Sequence, residues 1–394
     1  MNATFLFAKS VNLISNFSYI LSRRKFMSDS FSFSTFEVHP NAILSNIRSA
    51  KKQLNAGTKI IAMVKADAYS VGIEIVAPII AGVVDAFAVA NLQEGISLRN
   101  LGIAKEIFVM APINIEFLSV YSYYKLTPTI ASIFELNKLS KEIKVPLKVQ
   151  IKVDSGLTRF GISKISEFRR LLCKIKCNKN LTLCGVFSHL ATKQEDVKFI
   201  HHQCRRFEKF VSVAKSEFGE NLLFHLANTN AIFFHKGLNF NAVRMGFGLY
   251  GMDNSKIKKL KPFISIKSKI VSIKKVSKGA SIGYDRTMIA NKDMKIGIVP
   301  LGYADGINRR LSNVGRVLIN GQRINIVGRI SMDSFMVDLS GFDEIKNFST
   351  VTLLGASGGE NQTLKEVADL CGCSMYEFLV GLSHKRMRID YIDD

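Results

Sequence analysis

Acidic side chains are scarce in this 394-residue chain: 32 Asp and Glu stand against 54 Lys and Arg, a net charge of +22. That deficit raises the question of nucleic-acid or membrane partners. Yet the basic residues are scattered, with only short clusters such as 256–261 and 384–388. No helix-turn-helix, RNA-binding signature or zinc-finger spacing accompanies them, so a generally basic surface is expected and dedicated nucleic-acid binding is not. CxxC pairs are also missing. The six cysteines, at 173, 177, 184, 204, 371 and 373, read as free thiols of a reducing cytosol, because a chain this long needs no disulfide staples. His201, His202 and the pair Cys371/Cys373 make no metal site, since zinc needs more ligands at matched spacing. No apolar run is long enough to span a bilayer.

The first 28 residues stand apart, with Lys9, Arg23, Arg24 and Lys25 and no acidic residue. They lack the clean apolar core of a signal peptide. Residues 1–30 are therefore expected to be disordered or to reflect a mis-assigned start, with Met27 the true beginning; a transit peptide is the compositional alternative.

From residue 59 to about 250, apolar strand-like runs alternate with segments of helical spacing. The strand candidates are 59–64, 85–90, 107–111, 127–131, 147–153, 181–188, 224–227 and 241–243, with helices over 163–176 and 197–218. Eight such repeats argue for a closed parallel (β/α)8 barrel over residues 39–255. The missing GxGxxG fingerprint weakens the open-sheet alternative. The segment 39–54 reads as a helix with Pro40 in its first turn. After about residue 255 the period changes: 264–276, 295–300, 316–319, 324–327, 335–339 and 350–354 read as strands of a β-rich C-terminal domain, 256–394. Asn320-Gly321 signals a hairpin turn there, and short helices follow near 364–371 and 375–382. The run 31–38 has no barrel partner and is expected to join the second domain.

Lys65, in VKADAYSVG (64–72), follows the first barrel strand. Alone it reads as a solvated surface cation. Arg159, His189, Asn228 and Arg244 also sit where apolar runs end, and in a parallel barrel those ends converge on one face. An amine in such a ring suits imine formation with a carbonyl cofactor.

The ordered motifs VKADAYSVG (64–72), KVDSGLTRFG (152–161), FSHLA (187–191), LANTNA (226–231), RMGFGLYG (244–251), SIGYDRT (281–287), LGYADGINR (301–309) and GRISMDS (328–334) resemble the alanine racemases, two-domain enzymes dependent on pyridoxal 5'-phosphate (PLP). The resemblance runs from about residue 31 to the C-terminus. It implies racemisation of alanine by two bases, Lys65 on the D-face and Tyr284 on the L-face. It also implies a cytoplasmic homodimer in which Tyr284 comes from the neighbouring chain, supplying D-alanine for peptidoglycan. Arg244 matches the arginine on the PLP ring nitrogen, which argues against the decarboxylases that share the barrel but place an acidic residue there. His189 matches a histidine beside the tyrosine, in a network that Arg244 continues. Tyr69, Asn228, Thr229 and the amides of Gly246 and Phe247 match cofactor contacts, Thr229 replacing the usual serine.

Arg159 and, from the neighbouring chain, the Met332 amide match contacts to the substrate carboxylate. Lys152 matches a lysine carbamylated in many members. His225, Arg309 and Arg329 match residues lining the entrance. Three departures stand out. Asp67, Ser70 and Val71 replace the usual Asn, Gly and His beside the lysine, and Ser331 replaces cysteine. The end, KRMRIDY (385–391), lacks the proline of RVPRxY; by simple register it puts Asp390 at the tyrosine position, with Tyr391 in reach after a one-residue shift. Weakened cofactor retention is expected from this last change. A broader amino-acid racemase and a PLP-homeostasis protein are the competing readings. The second domain, with Tyr284 and Met332, speaks against the latter.

Overall fold

The computed structural model describes residues 32–192, 196–251, 257 and 260–393. The segment 1–30, and Phe31 at the start of the expected first strand, lie outside the described residues. The chain divides into two units, one of residues 42–261 and one in which the described residues up to Asn41 join the segment beginning at Pro262. The first described strand, β1 (Thr35–Val38), belongs to the second of these.

In the first unit β2 (Lys59–Met63), β3 (Ala86–Val89), β4 (Glu106–Pro112), β5 (Thr127–Ile130), β6 (Leu147–Lys152), β7 (Leu181–Phe187), β8 (Leu223–His225) and β9 (Ala242–Met245) close into a parallel barrel. The expected eight-stranded barrel is borne out. Its strands are legible because a parallel strand is buried on both faces and so reads as a continuous apolar run. Inside, Ile61, Ala86, Ala88, Phe108 and Ala242 form one buried cluster, small residues making room for the phenyl ring. The longest crossover helix, Val197–Phe218, starts on Asp196, whose carboxylate accepts from the Phe199 amide. It buries Ile200, Cys204, Phe207, Val211 and Ala214, one helical stripe.

The second unit holds a ten-stranded sheet containing β1, β10 (Ile264–Lys269), β11 (Ser272–Val276), β14 (Met294–Val299), β15 (Arg316–Ile319), β16 (Gln322–Val327), β17 (Phe335–Asp338), β18 (Thr350–Ser357), β19 (Glu360–Gln362) and β20 (Arg388–Tyr391). The small hairpin of β12 (Ser281–Ile282) and β13 (Met288–Ile289) stands beside it. Strand β1 pairs antiparallel with β10 and parallel with β20. The Asn320-Gly321 turn joins β15 to β16 with both residues at positive φ, 52° and 80°, the geometry that matches hairpin twist.

One expectation is corrected: 264–276 is two strands. The chain bends at Ile270–Val271, whose amides bond to Ser349 and Ile298, and β10 and β11 then take different neighbours. A change of partner leaves the alternating pattern unbroken and so is invisible in sequence. The six cysteines are all free. Among the described residues no helix is long and apolar enough to cross a membrane, and no group of three or more His, Cys, Asp or Glu is placed to hold a metal ion.

Candidate active site

Lys65 emerges directly beyond β2 at the C-terminal mouth of the barrel. The turn after it is left-handed: Ala66, Asp67, Ala68, Tyr69 and Ser70 all have φ between 52° and 63°. For residues with a Cβ this costs roughly 1–2 kcal/mol each, so something must hold the turn. Asp67 does part of it, its carboxylate accepting from Ile73 N at 2.7 Å and its carbonyl from Gly72 N at 3.0 Å. Glu94 adds to it, one oxygen accepting from Ala66 N and the other from Ala90 N, both at 2.7 Å. Lys65 itself is exposed and makes no hydrogen bond among the described residues. Burial of its surroundings and the Arg159 guanidinium hold its ammonium below the ordinary range, while the Glu94 carboxylate opposes them.

Arg244, on β9, is only 3% exposed. It has no carboxylate partner among the described residues. Nη1 donates to His225 Nδ1 and to the His225 carbonyl, each at 2.8 Å. Nη2 donates to the Ser188 carbonyl at 2.7 Å, the Leu226 carbonyl at 3.1 Å and His189 Nδ1 at 3.1 Å. Because both imidazoles accept at Nδ1, both carry their proton on Nε2. Burial, then the Arg244 charge, pushes both histidines well below their ordinary range, with Arg159, Lys152 and Lys65 adding to the effect at His189. They are therefore neutral at physiological pH. Burial lowers Arg244 to about 9, and it remains a cation. Its Nε–H makes no hydrogen bond among the described residues, which leaves one donor of a saturated guanidinium available. Arg244→Lys is expected to destabilise the fold by roughly 2–4 kcal/mol in a denaturant titration, because three ammonium protons cannot serve these five acceptors.

Two expectations are corrected here. His225 does not line an entrance: it is fully buried, stacked on Phe187 at 5.0 Å and 6°. Nor does Arg159 sit at a strand end. After Lys152 the chain leaves β6, Asp154 gathers the amides of Gly156, Leu157 and Thr158 at 2.9–3.1 Å, and the loop closes where Ile162 N meets Lys152 O. Gly161 is required at that closure, since φ is +113° and a Cβ would lie 2.8 Å from the Val153 carbonyl carbon. Arg159 is carried on this loop, beside the Phe160 ring.

Lys152 is 4% exposed, and its ammonium lies near two ring faces, Phe160 at 5.4 Å and Phe187 at 5.7 Å. Burial, then Arg159 and Arg244, lower it from 10.5 to about 8, with Asp154 opposing. The folded chain thus holds this proton less tightly than the unfolded chain does. Below pH 8 the burden of the buried charge is fully present. It is relieved as pH rises to 10.5, and stability in carbonate-free buffer should climb by about 3 kcal/mol across that window through this residue. Lys152→Met should remove the climb.

The Gly246 end of β9 packs against the left-handed turn: a Cβ there would lie 2.7 Å from the Tyr69 hydroxyl. Thr229 Oγ1 accepts from the amides of Gly246 and Gly248 at 3.3 Å, and a Cβ on Gly248 would strike its methyl at 2.5 Å. Phe247 opens a 3-10 turn between them. Tyr69, Thr229 and this loop therefore form one cradle of hydroxyls and backbone amides without a charged side chain. Asn228 is committed to a helix cap, its Oδ1 accepting from Ala231 N at 3.1 Å.

In the second unit Tyr284 follows β12 on a turn with Gly283, Asp285 and Arg286 at positive φ, and 66% of the residue is exposed. A Cβ on Gly283 would meet Met336 at 2.9 Å, so the backbone is wedged while the phenol stands free of the fold. Asp285 pairs with Arg329 at 2.8 Å and Arg309 at 3.8 Å. Met332 lies on a loop closed by Ser331 Oγ and Ser334, and its own amide donates to nothing among the described residues. The loop is braced by Tyr303 N and Ala304 N on the carbonyls of Ser331 and Met332, and by Arg386 between Asp333 (2.7 Å) and Asp305 (3.5 Å). Asp390 is engaged by Arg388, while Tyr391 ends β20 opposite Val38 on the other face of the strand. Nothing in the sequence marks Glu94, Asp154 or Arg386: each acts on backbone or on residues far along the chain.

The family model "Alanine racemase, N-terminal domain" matches residues 38–254, and "Alanine racemase, C-terminal domain" matches residues 263–390. A curated alanine racemase from Nostoc sp. is 33% identical over 369 residues, 90% of this chain and 94% of that one. The crystal structure of alanine racemase from Bacillus anthracis with bound L-Ala-P superposes with a TM-score of 0.86 at 32% identity, covering 92% of this chain and 96% of the other. That of alanine racemase from Bartonella henselae with covalently bound pyridoxal phosphate gives 0.81 at 25% identity, covering 91% and 99%.

Proposed function

The chain belongs to the alanine racemase family, and from that footing we propose how its own residues carry the reaction. It interconverts L-alanine and D-alanine in a PLP-dependent manner. When bound, the cofactor carries the substrate amine on its aldehyde carbon and draws electron density from the bond to the α-hydrogen. The residues present fit that group. Lys65 supplies an exposed amine whose pKa is lowered, Tyr69, Thr229, Asn228 and the amides of Gly246 and Phe247 offer a phosphate cradle of little net charge, and Arg244 offers its remaining Nε–H to the ring nitrogen.

The partnering of Arg244 carries this reading. A guanidinium fixed by carbonyls and two neutral imidazoles donates a hydrogen bond without surrendering its proton. Arg244 would thereby leave the ring nitrogen of the bound cofactor unprotonated and the ring a weak electron sink, which would favour prompt return of a proton to the α-carbon over transamination. Lys65 Nζ takes or gives that proton on the D-face, and the Tyr284 hydroxyl of a second copy does so on the L-face. Arg159 and the Met332 amide of the second copy hold the substrate carboxylate, and Arg309 and Arg329 line the approach. The working enzyme is a cytoplasmic homodimer whose D-alanine serves peptidoglycan synthesis. Lys152 is carbamylated: its neutral amine attacks carbon dioxide, a C–N bond forms, the proton leaves to solvent, and the new anion steadies Arg159. Saturating bicarbonate should then abolish the alkaline gain in stability described above.

Borohydride reduction of the holoenzyme followed by peptide mapping is expected to place pyridoxyl on Lys65. Label on any other lysine overturns the assignment. Offered L-alanine, L-serine and L-arginine in turn, the enzyme should prefer L-alanine; equal turnover of all three would make it a broader racemase.

A further inference from the structure

We infer that Glu94 is a positioning residue for Lys65, clamping the left-handed turn that aims the amine and holding a counter-charge beside it. The inference rests on the reading of Lys65 as the reacting amine. Glu94 is the third residue of the helix Leu92–Asn100, whose cap is Asn91. A glutamate there ordinarily reaches back to the amide at the helix start. One of its oxygens does something close to that, accepting from Ala90 N at 2.7 Å. The other serves no local need. It crosses 28 residues of sequence to accept from Ala66 N at 2.7 Å, the amide next to Lys65.

That amide opens the run of five left-handed residues. A carboxylate accepting from backbone N–H makes a charge-assisted bond, stronger than a neutral one. It ties the strained turn to the end of the adjacent strand β3, and so transmits the rigidity of the barrel to the lysine backbone. The same carboxylate is the acidic group acting on the Lys65 amine; Arg159 faces it with the opposite sign, and His189, which senses Lys65, is neutral. Glutamine at this position would remove the charge and could accept at one end only, its NH2 group facing a second N–H donor.

The test uses the full-length chain freed of cofactor, so that it does not depend on turnover. Competitive acetylation of Lys65 against pH, read on the peptide carrying it, reports the midpoint of its titration. Hydrogen exchange over 64–72 reports the turn. Glu94→Gln is expected to lower the Lys65 midpoint and to speed exchange of the turn by about ten-fold, the loss of one charge-assisted bond. A midpoint unmoved or raised overturns the inference, whatever the mapping of pyridoxyl shows. Should Glu94→Gln fail to fold, Glu94→Asp keeps the charge but shortens the reach; exchange over 64–72 should still rise, and unchanged exchange overturns the clamp. A merely structural role would not move the lysine midpoint.

Discussion

Lys65→Ala should reduce racemisation by about 10⁴-fold or more while leaving the fold intact. On the proposed roles two contributions vanish together, the covalent tether of the cofactor and one of the two bases, and positioned acid–base groups alone are worth roughly 10²–10⁴-fold. The fold should not notice, because the side chain is exposed and bonds to nothing among the described residues. An unchanged denaturation midpoint beside a collapsed kcat separates this outcome from misfolding. Small exogenous amines should restore part of the exchange of the α-hydrogen. A variant retaining a tenth of wild-type activity would remove Lys65 from the chemistry and, with it, the reading of the whole mouth.

Tyr284→Phe is expected to cost roughly 10²–10⁴-fold, and its loss should be lopsided. With the phenol gone, first-step deuterium uptake from solvent should fail for L-alanine and persist for D-alanine, which Lys65 serves. Equal loss from both enantiomers would mean that the faces are wrongly assigned. The phenyl ring remains and the residue is 66% exposed on a wedged turn, so stability should hardly change. The same variant tests the second copy. Lys65→Ala chains mixed with Tyr284→Phe chains should regain about a quarter of wild-type activity, since half the dimers are mixed and one of their two sites is whole. A site built within one chain would regain nothing, because each site in the mixed dimer would then carry one lesion.

Arg244 illustrates how much of the site a sequence displays. Its residue type and its place after an apolar run were legible. The five uncharged acceptors around it were not, since they come from two other stretches of chain, 188–189 and 225–226, brought together by barrel closure. The same closure made His225 a buried partner of the guanidinium when its motif suggested the entrance. Arg159 was misjudged for a local reason: its loop returns on itself through Asp154 and Gly161, and β6 ends seven residues before it.

The amino-acid order alone determined the eight barrel strands, the Asn320-Gly321 hairpin and the candidates for the reacting side chains. Burial on both faces, tight-turn stereochemistry and functional-group chemistry are written residue by residue. Only the tertiary structure decided that the turn after Lys65 is left-handed, that Glu94 clamps it, that β10 and β11 part company, and that Arg244 has neutral partners. Those outcomes depend on backbone angles and on contacts between residues distant in the chain. Neither leaves a periodic trace, because the energy that enforces them comes from the assembled barrel and sheet and not from the segment in which they occur.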